Sequence, residues 1–148
     1  MKAVAVEVVT NVLLPDGMDG QIHLDYLLLT SKGILVLDIK DVAGVIFGSD
    51  KMDDWAVING QQRFRFRNPL GPLYDRVAAV RLIATEVPVS GRVVFTPNGE
   101  FTKGVPSDVA MMDELAEEFA KPDKGELDKI VGALYPDWEK IRGETVSA

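Results

Sequence analysis

The stretch "HLDYLLLTSKGILVLDIKD" at residues 23–41 constrains the fold more than any other part of the chain. Two runs rich in Leu, Ile and Val flank Ser31-Lys32-Gly33. Runs this short, bounded by turn formers, suit strands joined as a hairpin rather than a helix. Yet Asp25 sits inside the first run, and Asp38 and Lys40 sit inside the second. An unpaired charge buried in a sheet is costly, so such a hairpin must either expose these groups or give them partners.

The neighbouring sequence extends the β reading. "AVAVEVVTNVLL" at 3–14 is β-branched and partly alternating, and "PDGMDG" at 15–20 is dense in turn formers. Strands at 21–30 and 34–40 follow, then shorter ones in "AGVIFGS" at 43–49 and "DWAVING" at 54–60. Asn59-Gly60 suits a tight turn into "QRFRFR", so this half reads as an antiparallel meander. The period then changes. Leu73, Val77, Val80 and either Ile83 or Ala84 recur at helical spacing over 72–85, on a helix that also carries Tyr74, Arg76 and Arg81. "GRVVFT" at 91–96 reads as a buried strand and "DVAMM" as a short one. Asp113 can cap a helix through Ala120, and Pro122-Asp123 starts another with Leu127, Ile130, Val131 and Leu134 on one face. The closing "GETVSA" reads as loose. This order predicts an α/β chain of the α+β type, a mixed sheet flanked by helices.

Composition removes several function classes. No segment approaches the roughly 18 apolar residues of a membrane helix, so no membrane span is expected. The sequence contains no cysteine, which excludes disulfides and Cys-based zinc sites, and with no signal-peptide pattern it points to a cytoplasmic protein. The net charge of −7 argues against nucleic-acid binding by overall electrostatics, so any such site must be local.

Strand alternation places His23, Asp25 and Leu27 on one face of their strand, and Val36, Asp38 and Lys40 on one face of theirs. If the loop is only Ser31-Lys32, Thr30 opposes Gly33, Asp25 opposes Asp38 and His23 opposes Lys40, with Cβ atoms about 4.5–5.5 Å apart. If Gly33 belongs to a three-residue loop with a bulge, the two aspartates fall on opposite faces. Facing carboxylates repel, and a divalent cation between them resolves the conflict. Oxygen ligands of this kind suit Mg²⁺ or Mn²⁺, with the Lys40 ammonium placed to orient an attacking water. The plainer alternative is a solvated face on which Asp38 and Lys40 simply pair.

Arg63, Arg65 and Arg67 alternate with Phe64 and Phe66, so a strand there shows guanidiniums on one face and rings on the other. They form either a phosphate track or a solvated row paired with Asp50, Asp53 or Asp54. Arg76 and Arg81, five apart on a helix, diverge, so at most one joins that track; Arg76 is the candidate. His23, the one histidine, can assist at the Asp25 face or serve as a structural residue, and Tyr74 can face core or groove. Trp55 and Trp138 read as packing anchors.

A longer pattern carries a family resemblance. "NVLLPDG", "LDYLLLTSKGILVLDIK", "AGVIFGS", the Trp of "DDWAVING", "RFRNPL" leading into a helix, and "VVFT" follow in order through residues 11–96. The chain resembles the nuclease-related domain (NERD) family of the PD-(D/E)xK nuclease superfamily. Asp25, Gly33, Asp38 and Lys40 fall on the family's Asp, turn Gly and Glu-x-Lys positions. The resemblance implies a restriction-endonuclease-like mixed sheet over 1–121, with 122–148 as a C-terminal helical extension of the same domain. It implies Mg²⁺-dependent (or Mn²⁺-dependent) hydrolysis of DNA phosphodiesters, Asp25, Asp38 and the Ile39 carbonyl holding the metal and Lys40 positioning the water. The chain departs from the family pattern at four places. Asp38 replaces Glu, Tyr26 replaces His, and Pro72 stands where a helix Gln is usual. The family usually opens with a helix bearing a Gly-Glu pair, whereas this sequence starts at the strand after it, so either the sequence is trimmed or this member lacks that acidic residue; Glu126 in "KGELDKIVGAL" reads as part of a plain C-terminal helix. These departures leave a second class open: a degenerate nuclease domain that only binds DNA or protein.

Overall fold

The computed structural model describes residues 4–148, so Ala3, at the start of the first expected strand, lies outside the described residues. The chain forms β1 (Ala5–Pro15), β2 (Gln21–Thr30), β3 (Gly33–Lys40), β4 (Gly44–Phe47), β5 (Asp54–Asn59) and β6 (Gln62–Arg67). Helix α1 (Leu70–Ile83), β7 (Val89–Phe95), β8 (Gly99–Phe101), β9 (Val109–Met111), α2 (Met112–Glu118), α3 (Lys124–Glu144) and β10 (Val146–Ser147) follow. The meander is divided between two sheets, ordered β10-β1-β2-β3-β7-β9 and β6-β5-β4-β8. β7 pairs parallel to β3, β9 to β7 and β8 to β4, so both sheets are mixed. The result is an α+β architecture consistent with a restriction-endonuclease-like fold.

β3 lies between β2 and β7 and is buried from Gly33 through Asp38. That placement explains its near-continuous apolar run, since a strand covered on both faces has no polar face to show. On one side Leu28, Leu35, Leu37 and Val94 pack against Leu115 and Phe119 at the end of α2. On the other, Leu27, Leu29, Ile34 and Val36 join Leu73, Val77 and Val80 of α1 with Leu134, Trp138 and Ile141 of α3. Each such fully buried side chain contributes about 1.5–3 kcal/mol. The two sheets meet at an aromatic cluster: Trp55 stands edge-on to Phe66 at 5.9 Å and to Phe101 at 6.3 Å, and Phe95 lies 5.1 Å from Phe101. Trp55 and Trp138 are both fully buried, as packing anchors.

Several local expectations shift. The β5–β6 turn is Gly60-Gln61, with Asn59 already paired to Gln62, and Gly60 takes the left-handed backbone there (φ 62°). α1 begins two residues before the expected start and accommodates Pro72 in its first turn, where a missing N–H costs nothing. α2 is capped at Met111, whose N–H donates to Glu114, rather than at Asp113. Asp123 caps α3 as expected, accepting from the Glu126 N–H at 3.1 Å, so Glu126 belongs to a helix start. β8 was not foreseen: its three residues are too few for periodicity to detect. The tail read as loose instead forms β10 on the edge of β1, Leu13 opposite Val146 and Val12 opposite Ser147.

Candidate active site

The β2–β3 pairing runs from Thr30↔Gly33 to Tyr26↔Leu37, so the loop is the two residues Ser31 and Lys32. The Thr30 hydroxyl donates to the Gly33 carbonyl at 2.8 Å and accepts from the Lys32 N–H at 3.2 Å, closing the turn. Gly33 has a second role beyond its φ of 121°. A Cβ there would lie 2.3 Å from the Pro88 carbonyl oxygen, the same oxygen that accepts from Ile34 N–H at 2.9 Å. Glycine thus lets the turn press against the start of β7, and the three-residue alternative is not formed.

The ladder ends one residue short of Asp25 and Asp38, so the expected Asp25–Asp38 pairing is not formed, although the Asp25 charge still reaches Asp38. There the strands part. β3 goes on pairing with β7 (Asp38↔Val93, Lys40↔Phe95), while β2 goes on with β1 (Leu24↔Val12, His23↔Leu13). The expected His23–Lys40 opposition is therefore absent from the hairpin ladder. Strict alternation also breaks at this point. Val9 and Val12, and likewise Leu24 and Leu27, are three apart yet contact the same core. The pairs Thr10↔Tyr26 and Val12↔Leu24 bracket Asn11 and Asp25, and Asn11 has a left-handed backbone (φ 51°). Beside this irregularity His23 and Asp25 are partly exposed while Leu27 is buried.

Asp38 is 2% exposed. The Arg76 guanidinium donates through Nη1 to Asp38 Oδ2 at 2.7 Å and through Nε to the His23 carbonyl at 2.8 Å, tying β3 to β2 across the fork. Asp38 Oδ1 is buried without a hydrogen-bond partner. Burial pushes the Asp38 carboxyl above the usual carboxylate range; the Arg76 charge opposes this and the nearby Asp25 charge adds to it. His23 Nδ1 lies 3.4 Å from Asp25 Oδ1, and its Nε2 lies 2.6 Å from Asn11 Oδ1. The Lys40 ammonium is half-buried and makes no hydrogen bond or ion pair among the described residues. A cleft of about 380 Å³ is lined by Asp38, Lys40, Phe66, Arg67, Pro72 and Arg76. Ile39 turns its side chain to the opposite core, so only its main chain is available as a donor.

The donor set decides which metal fits. Among the described residues there is no cluster of three or more His, Cys, Asp or Glu side chains, which argues against an all-protein cage. Two carboxylates, one with an unpartnered buried oxygen, and a main-chain carbonyl suit instead a hard cation that keeps several waters, such as Mg²⁺ or Mn²⁺.

The arginine row did not pair with acids. Arg63, Arg65 and Arg67 form no side-chain hydrogen bond or ion pair among the described residues, and Asp50 accepts from the Ser107 N–H at 2.9 Å instead. Arg76, expected as a phosphate contact, is spent on Asp38. Arg81 diverges to donate to the Val89 carbonyl, and Tyr74, 45% exposed, donates to Asp108. Asn11 and the Asp38–Arg76 pair were missed in the sequence; an isolated Asn in a β-branched run was the signal for the former.

Two mixed sheets with three helices, Asp38 and Lys40 opening into a cleft beside α1, make this an α+β domain consistent with the restriction-endonuclease-like class. The chain belongs to the nuclease-related domain (NERD) family, whose profile matches residues 4–96, more than half of its length. It is also 25% identical over 91 residues to an uncharacterized protein of Bacillus anthracis, covering 61% of this chain and 43% of that one. The chain therefore spans less than half the length of this relative. No solved structure matches it. No helix among the described residues is long and apolar enough to cross a membrane.

Proposed function

We propose that the protein is a metal-dependent phosphodiesterase acting on DNA, an endonuclease-like hydrolase with its centre at Asp25, Asp38 and Lys40. The observation that carries this reading is the buried Asp38 oxygen without a hydrogen-bond partner, in a cleft shared with the Lys40 ammonium. Asp38, Asp25 and the Ile39 carbonyl would hold Mg²⁺ or Mn²⁺. The bound ion supplies Lewis-acid charge and a more acidic water. Lys40 orients that water and offsets charge developing on the phosphate oxygens. Arg67, on the cleft wall, steadies the phosphate beside it. The nuclease-related family match supports a nucleic-acid partner, and a cysteine-free chain doing such work suits the cytoplasm.

Plasmid and linear DNA incubated with Mg²⁺ or Mn²⁺ test the activity. Lys40→Ala should lower cleavage by about 10²–10³-fold. Equal cleavage by wild type and variant would place the chemistry elsewhere. A second reading, a binding module without hydrolysis, is favoured by the hold of Arg76 on Asp38 and by Pro72 in place of Gln. Calorimetry with Mn²⁺ separates the two: heat in the wild type but not in Asp25→Asn supports the enzyme, and heat in neither supports the module.

A further inference from the structure

The chain has seven arginines, and their engagement is uneven. Arg76 pairs with Asp38, Arg92 with Asp108 and Glu118, Arg142 with Glu7, and Arg81 donates to a main-chain carbonyl. The three left without partners among the described residues are Arg63, Arg65 and Arg67, all on β6. β6 is the outer strand of its sheet. Alternate residues on a strand recur about every 6.8 Å, so the three guanidiniums form one row about 14 Å long. Register fixes what lies beside them. Arg65 pairs with Ala56, which pairs with Phe47, and Arg63 pairs with Ile58, so a small apolar shelf shares their face. Arg63, Phe64 and Arg65 border this shelf in an open groove of about 560 Å³. At its other end the row reaches the cleft, since Arg67 lines it with Asp38 and Lys40.

We infer that this face of β6 binds a single strand of nucleic acid, its phosphates along the arginine row and its unstacked bases against Phe47, Ala56 and Ile58, and leads it to the Asp38–Lys40 cleft. The inference rests on the phosphodiesterase reading for the cleft but not for the groove. Charge complementarity selects a polyanion, because none of the three guanidiniums is tied up in an ion pair among the described residues, even at Arg67 opposite Asp54, in a chain of net charge −7. The shelf selects a single strand. Bases within a duplex are stacked on one another and present no face to an apolar surface, whereas a single strand lays its bases on such platforms. One row of cations also matches one backbone, and the acidic remainder of the surface repels the second backbone of a duplex.

Fluorescence anisotropy in EDTA, with a labelled single strand and a blunt duplex of equal length, tests the inference. The single strand should bind about ten-fold tighter or more. Arg63→Ala, Arg65→Ala and Arg67→Ala should each weaken binding and reduce the slope of log K against log salt by about 0.7. Phe47→Ala should weaken single-strand binding about ten-fold with the slope unchanged. Duplex binding equal to or tighter than single-strand binding would overturn the inference. So would arginine variants that keep wild-type affinity and slope but aggregate, which would make the row a guard for an exposed edge strand. Cleavage of duplex DNA that requires Asp38, without single-strand preference, would preserve the phosphodiesterase reading and sink this one. Single-strand binding without cleavage in any metal would do the reverse.

Discussion

Arg76→Met is the most informative single perturbation of the site. The Arg76 side chain is about one-fifth exposed (22%) and that of Asp38 nearly fully buried (3%), with 2.7 Å between them. Removing one partner of a buried pair costs about 3–5 kcal/mol, and the partial exposure of Arg76 places this case near the lower end, about 3 kcal/mol. That is a large part of a typical stability of about 5–15 kcal/mol. The loss should also depend on pH. The Asp38 carboxyl is already raised above its ordinary value of 3.8 by burial, and losing the guanidinium raises it further. A carboxyl with a folded pKa above its unfolded one binds more protons in the folded state. Stability therefore falls as pH rises from the unfolded value through the folded one, by up to about 1.4 kcal/mol per pH unit. Removing Arg76 widens that window upward, so the variant should lose more at pH 8 than at pH 5. Urea denaturation of the metal-free protein at both pH values measures it. Adding Asp38→Asn to Arg76→Met removes the stranded charge and should recover about 1–3 kcal/mol at pH 8. A loss below about 1 kcal/mol, equal at the two pH values, would refute the reasoning.

Two glycines carry predictions of their own. Gly33→Ala should cost about 2–6 kcal/mol in urea midpoint analysis, combining backbone strain at φ 121° with a Cβ placed 2.3 Å from the rigid Pro88 carbonyl; a loss under 1 kcal/mol would contradict the close turn–strand contact. Gly91→Ala should cost less, about 1–3 kcal/mol, because the Cβ would meet side-chain methyls instead, Val77 Cγ2 at 2.6 Å and Leu73 Cδ1 at 3.1 Å. An unchanged midpoint would show that α1 does not seat on β7 as closely as described.

The hairpin was legible in the sequence because apolar runs and a Gly-containing turn are local signals, and the shorter of two loop choices proved to be the one formed. That the Thr30 hydroxyl closes the turn while Gly33 meets Pro88 is a distant contact, and no spacing in residues 23–41 announces it. The division into two sheets was not legible, since strands β4 to β6 look the same whether they extend the first sheet or begin another. β10 escaped for a related reason: two exposed residues acquire their conformation from the edge of β1 and have no preference of their own to display. At the site, residue types were readable but pairings were not. Asp38, Lys40 and Arg67 do share a cleft. Arg76 sits 38 positions from Asp38 and approaches it only because α1 packs over the fork. The break in alternation beside Asp25 coincides with a left-handed residue, Asn11, on the neighbouring strand, which Asp25's own neighbours do not encode.

Helix α1 holds three distant places at once, through Tyr74 to Asp108, Arg76 to Asp38 and His23, and Arg81 to Val89. A stiff rod fastened at three points does not shift for one fastening alone. Should an incoming phosphate draw Arg76 from Asp38 by moving the helix rather than the side chain, the approach to β9 and the entry of β7 would register the event as well. A spectroscopic label on the outer side of that rod, for instance at exposed Leu82, would then sense occupancy of the cleft without touching it.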